Sequence, residues 1–384
     1  MNTFAQIRTQ KESIMKKSMV WMLLLGVFFS LELCAQDFVV DRLEYNILSK
    51  EDMTVEVGCS DTEIDSITVP SHVLYNDTLY TVTTLRIQAF YYCSSLSYIS
   101  LPHTLEKISH MALCGGYFFL EGNITIPPSV KSIGSSAFNN QRNLKHVILP
   151  EGIEYVGQDC FKDCNSLEDT IYIRKDVTYG SSVYAFCPKI KQIVIEEGVT
   201  SIPDYMFKNF DEMIPYPEPL EVEEIVFPES VDTIGRSAFA LSKLKTLKLP
   251  SCKVMRKEAF RLCKWLETIT FGSKVEYVNQ GAFGKCNSLK TIYCEGTVPP
   301  KEGLYMAGVT LHVPKGYKEI YATTDNWAKY GDNIVDDIEL EGIRSIKNEQ
   351  LKMNNEMFDL QGRRITEPQK GKIYIQKGKK YINK

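Results

Sequence analysis

Five histidines, His72, His103, His110, His146 and His312, are the first candidates for proton transfer or metal binding. General acid–base work needs the base within hydrogen-bond reach of the group it serves. A zinc site needs Cys and His ligands at short, regular spacing. These five are scattered along the chain, none with a Ser or Cys and an acid in register, and no CxxC pair occurs. Gly134-Ser135-Ser136 and Gly235-Arg236-Ser237 lack the second glycine of a nucleophile elbow. They read as bends in which Ser caps a turn. The segment from Phe210 to Glu224 carries Asp211, Glu212, Glu218, Glu221, Glu223 and Glu224 with no basic residue. It reads either as a site for a basic partner or calcium, or as a solvated bulge; the acids lack the ordered spacing of a calcium loop. The pattern argues against an enzyme, and no cofactor or metal is expected.

What does recur is structural. Glu223 to Phe239 reads as a strand, a turn, a second short extended piece and a turn ending in a buried phenylalanine. Variants return about ten times; 23 residues separate Phe138 from Phe161 and Phe260 from Phe283. Such a period means a solenoid, in which each coil buries its apolar face against its neighbours. Inward pairs such as Ile124/Ile126, Val147/Leu149, Ile171/Ile173 and Leu247/Leu249 would stack as aliphatic columns, since strand side chains alternate faces. Pro127, Pro150, Pro228 and Pro250 end the strands because proline cannot donate to a ladder. Gly134, Gly157 and Gly235 mark a bend expected to need positive φ. Phe90, Phe138, Phe161, Phe186, Phe207, Phe239, Phe260 and Phe283 form the expected aromatic column, with Leu113 substituting in one coil. Cys93, Cys164, Cys263 and Cys286 each follow a column aromatic by three residues, as small buried hydrophobes in a packing column do; a Cys263–Cys286 bridge is sterically conceivable.

The residue between each inward pair faces outward. Ile148, Tyr172, Val194 and Val226, with Lys248 and Tyr293 further on, are the candidate ligand-binding stripe. Coils about 4.8 Å apart would make the first four a continuous apolar strip. The alternatives are that β-branched residues merely suit strands, or that the insert after Phe207 folds over them.

Lys16-Lys17 precede the apolar run from Val20 to Leu31, followed by Leu33-Cys34-Ala35-Gln36. That is a signal-peptide pattern over residues 1–36, with translation starting at Met1 or Met15. The expected organisation continues with a hairpin cap over 37–60, coils over 61–335, and a linker with a β-rich tail over 336–384. Residues 342–384 hold eleven Lys/Arg against four acids, a net +7. With tail and leader set aside, 29 basic and 42 acidic residues remain, a net −13. An acidic body argues against nucleic acid as a partner.

The run Ile-Pro-x-x-Val-x-x-Ile-Gly-x-x-Ala-Phe-x-x-Cys-x-x-Leu resembles the BspA-like leucine-rich repeats of secreted and surface proteins, especially those of anaerobic Bacteroidota. Ile126 through Leu144 and Phe227 through Leu244 match it best. Departures are Met111-Ala112-Leu113 without Phe, Arg174 in place of Pro, and Ile202-Pro203 in place of Ile-Gly. The resemblance implies a right-handed solenoid with a parallel sheet on one face. It also implies a surface-displayed role in adhesion, with protein or glycan partners on host or neighbouring cells. The tail, with Phe358-Asp359-Leu360-Gln361-Gly362-Arg363 and Gly371-Lys372-Ile373-Tyr374, resembles C-terminal sorting domains of the same phylum. Contact with secretion machinery is what that resemblance implies; a shared module used without such machinery is the other reading.

Overall fold

The computed structural model describes residues 36–213 and 216–339, plus the backbone of short tail strands between 343 and 383. The leader and Asp359 to Arg363 lie outside the described residues. The chain is a β-solenoid of about 12 turns. Each coil runs through an outer strand, a two-residue inner strand at a bend, and a turn that carries the aromatic. Parallel pairing between coils satisfies backbone groups on two faces, as in Thr246–Leu249 against Thr268–Phe271 and Val254–Met255 against Tyr277–Val278. On the third face the amide of each aromatic donates to the coil ahead: Phe138 to Cys160, Phe161 to Val183, Tyr184 to Met206, each at 2.9 Å. Buried backbone groups left unpaired are costly, so this stacking is obligatory.

Antiparallel strands Phe38–Val40, Leu43–Ser49 and Thr54–Gly58 precede the coils. The hairpin His72–Tyr75 with Thr78–Leu85 turns at Asn76 and Asp77, whose φ values of 49° and 59° suit a tight hairpin. The outer sheet runs through Thr310–Pro314 and Ile334–Ile338, past the expected boundary at 335. Tail strands Ile343–Ile346, Met357–Phe358, Arg364–Ile365, Ile373–Gln376 and Lys379–Asn383 form a sheet of their own.

The aromatic column departs from expectation at one place. Rings of Phe138, Phe161, Tyr184, Phe207, Phe239, Phe260 and Phe283 stack in sequence with centroids 5.2–5.7 Å apart and planes within 14°. Tyr184, not Phe186, fills the fifth coil's position. Phe186 sits half-buried at the surface at φ 57°, with the Lys162 and Lys208 ammonium groups about 6 Å from its ring. The spacing to cysteine carries this: Tyr184 lies three residues before Cys187, as Phe161 does before Cys164.

The bend glycines also correct the reading. Gly134, Gly157 and Gly235 do not have positive φ; a Cβ there would lie 2.4–2.6 Å from backbone of the preceding coil. Close approach, not handedness, selects glycine. Positive φ falls two residues later, at Ser136, Asp159 and Ser237. The cysteine column has its own bonding rule. Cys164, Cys187, Cys263 and Cys286 donate S–H to the carbonyls of Phe138, Phe161, Phe239 and Phe260 at 3.0–3.4 Å. All ten cysteines from Cys59 to Cys294 are buried and free, so no Cys263–Cys286 bridge forms. Burial pushes the Cys252 thiol up to about 12 and holds Cys160 and Cys187 well above the usual thiol range.

Two outcomes follow. Chemical denaturation should show Tyr184→Ala costing about 3–5 kcal/mol, as for a buried ring, and Phe186→Ala about 1 kcal/mol or less. Cys160, Cys187 and Cys252 should stay inert to Ellman's reagent at pH 8 in the native protein and react once it is unfolded in guanidinium, because the thiolate is the reactive form.

Candidate functional site

Between the fourth and fifth coils the outer sheet is broken. Strand Leu144–Ile148 pairs only with Gly122–Thr125, and Thr170–Ile173 only with Gln192–Ile195. The cause is one residue. Leucine to the first inward position spans three residues at Leu144–Val147, Leu244–Leu247, Leu266–Ile269 and Leu289–Ile292, but four at Leu167–Ile171. The additional residue brings Asp169 to the seam. Glu168 N–H still donates to Lys145 C=O at 3.1 Å, and beyond that point the two backbones part.

Side chains replace the missing ladder. The Asp169 carboxylate accepts from Val147 N–H at 2.6 Å and faces His146 Nδ1 at 2.7 Å. At the far end Arg174, standing where other coils carry proline, donates from Nη2 to Pro150 C=O at 3.0 Å. Tyr179 sits at the inner-strand position that holds Ile133 and Val156 in earlier coils, and its longer side chain reaches across to the outer sheet. There its hydroxyl donates to Tyr172 C=O at 3.2 Å and accepts from Arg174 N–H at 3.3 Å. Burial raises the Tyr179 hydroxyl pKa, opposed by Arg174.

In unbroken parts of the sheet those backbone groups pair with the preceding coil: Val69 N–H with Ser100 C=O at 3.0 Å, Gly272 N–H with Leu249 C=O at 2.9 Å. Tyr179 therefore intercepts both partners of Leu149. Among the described residues, neither the N–H nor the C=O of Leu149 has a hydrogen-bond partner.

The break opens a cleft of about 830 Å³ lined by 147–149 on one wall and 169–174 on the other. Tyr184, the one hydroxylated ring among the seven stacked from Phe138 to Phe283, lines it as well. Burial holds its hydroxyl well above the usual phenol range. Glu196 at the rim is paired with Lys175 at 3.6 Å, but Glu151 and Asp176, with Asp169 inside, outnumber Arg174, so the opening is acidic.

All six stripe residues face outward, but the structure does not space them evenly. Ile148, Tyr172 and Val194 line the cleft, with Ile148 77% and Tyr172 59% exposed. Only Tyr172 and Val194 are adjacent in register. Val226 is 75% exposed on a segment that forms no strand, although Glu223 C=O before it still accepts from Lys245 N–H of the next coil at 3.1 Å. Lys248 and Tyr293 lie on the later five-stranded sheet, where the Tyr293 ring stacks on His312 at 4.6 Å. The 4.8 Å strip over four coils is thus corrected to a three-residue rim around a gap. The described residues of the insert pack elsewhere: Phe210 lies under Arg261, Glu212 pairs with Arg261 at 3.2 Å, and Leu220 bridges Ser242.

Two histidines do have an acid in register, supplied one coil later: Asp169 for His146, and Asp337 for His312 at 2.9 Å. Among the described residues no group of three or more His, Cys, Asp or Glu could hold a metal ion. Asp169, Tyr179, Tyr184 and Leu149 were missed by sequence reasoning; the four-residue Leu167–Ile171 step is the signal that would have found the first.

A family model described as BspA type leucine rich repeat region, in six copies, matches residues 59–177, 115–214 and 218–300. The chain belongs to the BspA-type leucine-rich repeat family. Solved structures similar to this BspA-type protein include the pneumococcal vaccine antigen PcpA, at 20% identity, TM-score 0.38, covering 79% of this chain and 98% of that one. A leucine-rich repeat protein from Bacteroides ovatus shows 20% identity, TM-score 0.44, and coverage of 82% and 85%. A leucine rich cell surface protein from Faecalibacterium prausnitzii shows 17% identity, TM-score 0.32, and coverage of 67% and 94%. No curated protein matches the chain.

In this BspA-type fold Asp169 acts as a strut, and Asp169→Ala leaves a backbone amide and an imidazole without their acceptor. Denaturant titration should show a loss of about 1–3 kcal/mol, with Asp169→Asn recovering part of it through the amide oxygen.

Proposed function

We propose that this protein is an exported, non-catalytic binding protein that presents the outward face of its solenoid sheet to protein or glycan partners on host or neighbouring cells. The observation that carries this reading is the cleft rimmed by Ile148, Tyr172 and Val194. Exposed apolar side chains grouped around a concavity are the usual form of a binding site. An uninterrupted β-solenoid would place such residues on a flat sheet without depth. Export rests on the leader pattern of Lys16-Lys17 and the Val20 to Leu31 run. The basic tail, at +7, is the segment proposed to contact secretion machinery. Nucleic acid is disfavoured as a partner by the acidic coils.

The mechanism is contact without bond-making. Tyr172 offers a ring face for stacking against a sugar or an apolar side chain, and the rim carboxylates select against anionic ligands. Glycan arrays and a panel of matrix proteins test it. A partner bound by the wild type should lose at least tenfold in affinity with Ile148→Lys and Val194→Lys combined, at unchanged melting temperature. Unchanged affinity removes this face as the site, and no partner in either screen favours a structural or antigenic surface module.

A further inference from the structure

We infer that the cleft between the fourth and fifth coils takes an extended peptide segment bearing basic side chains, which adds to the open edge of the Leu144–Ile148 strand. This deepens the reading of the outer face as a binding surface and rests on it.

The first support is the unpartnered backbone of Leu149. Its N–H and C=O lie on one strand edge, lining a cavity open to solvent. A ligand with a single polar atom would meet one of them. A residue of an extended chain offers one donor and one acceptor at matching spacing and meets both, as in a hydrogen-bonded pair of an antiparallel ladder. That is the chemistry of strand addition, in which main-chain bonds supply affinity and alternate side chains supply selectivity.

The second is the shape and charge of the opening. About 830 Å³ accommodates a few residues of extended chain, and a strand alternates its side chains. One set would lie against Ile148 and Tyr172. The other would point to the rim, where Glu151 and Asp176 favour Lys or Arg. The third is that the gap is held by side chains. Asp169 and Arg174 tie its ends by hydrogen bonds that can yield to an entering backbone without unstacking the aromatic column below.

The test is fluorescence anisotropy on the full-length protein with a fluorescein-labelled Lys-Val-Lys-Val-Lys peptide. Saturable binding is expected, weakened at least tenfold when the central lysine amide and both valine amides are N-methylated, and weakened likewise for Glu-Val-Glu-Val-Glu. Deleting Asp169 restores the three-residue step and lets the two strands pair. That variant should melt at a higher temperature and lose the peptide by at least tenfold. If it does not fold, Leu149→Pro, which removes the N–H on that edge together with the inward leucine side chain and leaves the C=O, serves in its place with the same expected loss. No binding by the wild type overturns the inference, as does equal binding of the N-methylated peptide or by the variant. A matrix protein or glycan lost on Ile148→Lys with no peptide bound would overturn this inference alone and leave the sheet-face reading standing.

Discussion

Every coil depends on the next one for its backbone hydrogen bonds. Apart from the local hairpins at the N-terminal end and in the tail, a 23-residue coil closes no ladder by itself; the N–H and C=O groups of one turn are met by the turn ahead and the turn behind. That constraint fixes the coil spacing, and the spacing sets the rest. Rings 5.2–5.7 Å apart can stack face to face. At Gly134, Gly157 and Gly235 glycine is selected because a Cβ would enter the preceding backbone. Thiols suit the position after the ring because a carbonyl of the coil before is within S–H reach.

The same constraint explains why a single additional residue matters. Aromatic and bend faces between the fourth and fifth coils stay paired, with Phe161 donating to Val183 and Tyr155–Val156 laddered to Thr178–Tyr179. The surplus residue can be absorbed only on the outer sheet, and that is where the two backbones separate. Asp169, Arg174 and Tyr179 then act together, each meeting a backbone group that the ladder no longer reaches. Leu149 is the group they leave over. Between these two coils the solenoid keeps its pairing on two faces and gives it up on the third, where the proposed binding surface lies.

Much of the fold is legible in the sequence because its period is enforced chemically. Apolar pairs, strand-ending prolines and column leucines recur at fixed offsets, and coil assignment follows from them. Phe186 misleads because an aromatic after alanine matches the motif locally; the distance to Cys187 assigns the column to Tyr184. The glycine role misleads because a positive φ and a close approach select the same residue, and only the neighbouring coil distinguishes them. The stripe residues were readable as outward-facing, but the gap among them was not. It depends on where an insertion is absorbed and on Tyr179 reaching across the interior, and pairwise contact at that range leaves no periodic trace in the chain.

Between the fourth and fifth coils the bend and aromatic faces stay paired, while on the outer face side chains replace the ladder and leave Leu149 over. Residue-resolved amide hydrogen exchange on the native protein tests this most directly, comparing Leu149 with Leu249, its counterpart facing an intact ladder. The account predicts exchange at Leu149 faster by two or more orders of magnitude, since a tenfold change corresponds to about 1.4 kcal/mol of protection and a full ladder bond with its burial supplies several times that. Equal protection at the two leucines would mean the outer sheet is closed there, and the cleft with its proposed ligand would not exist.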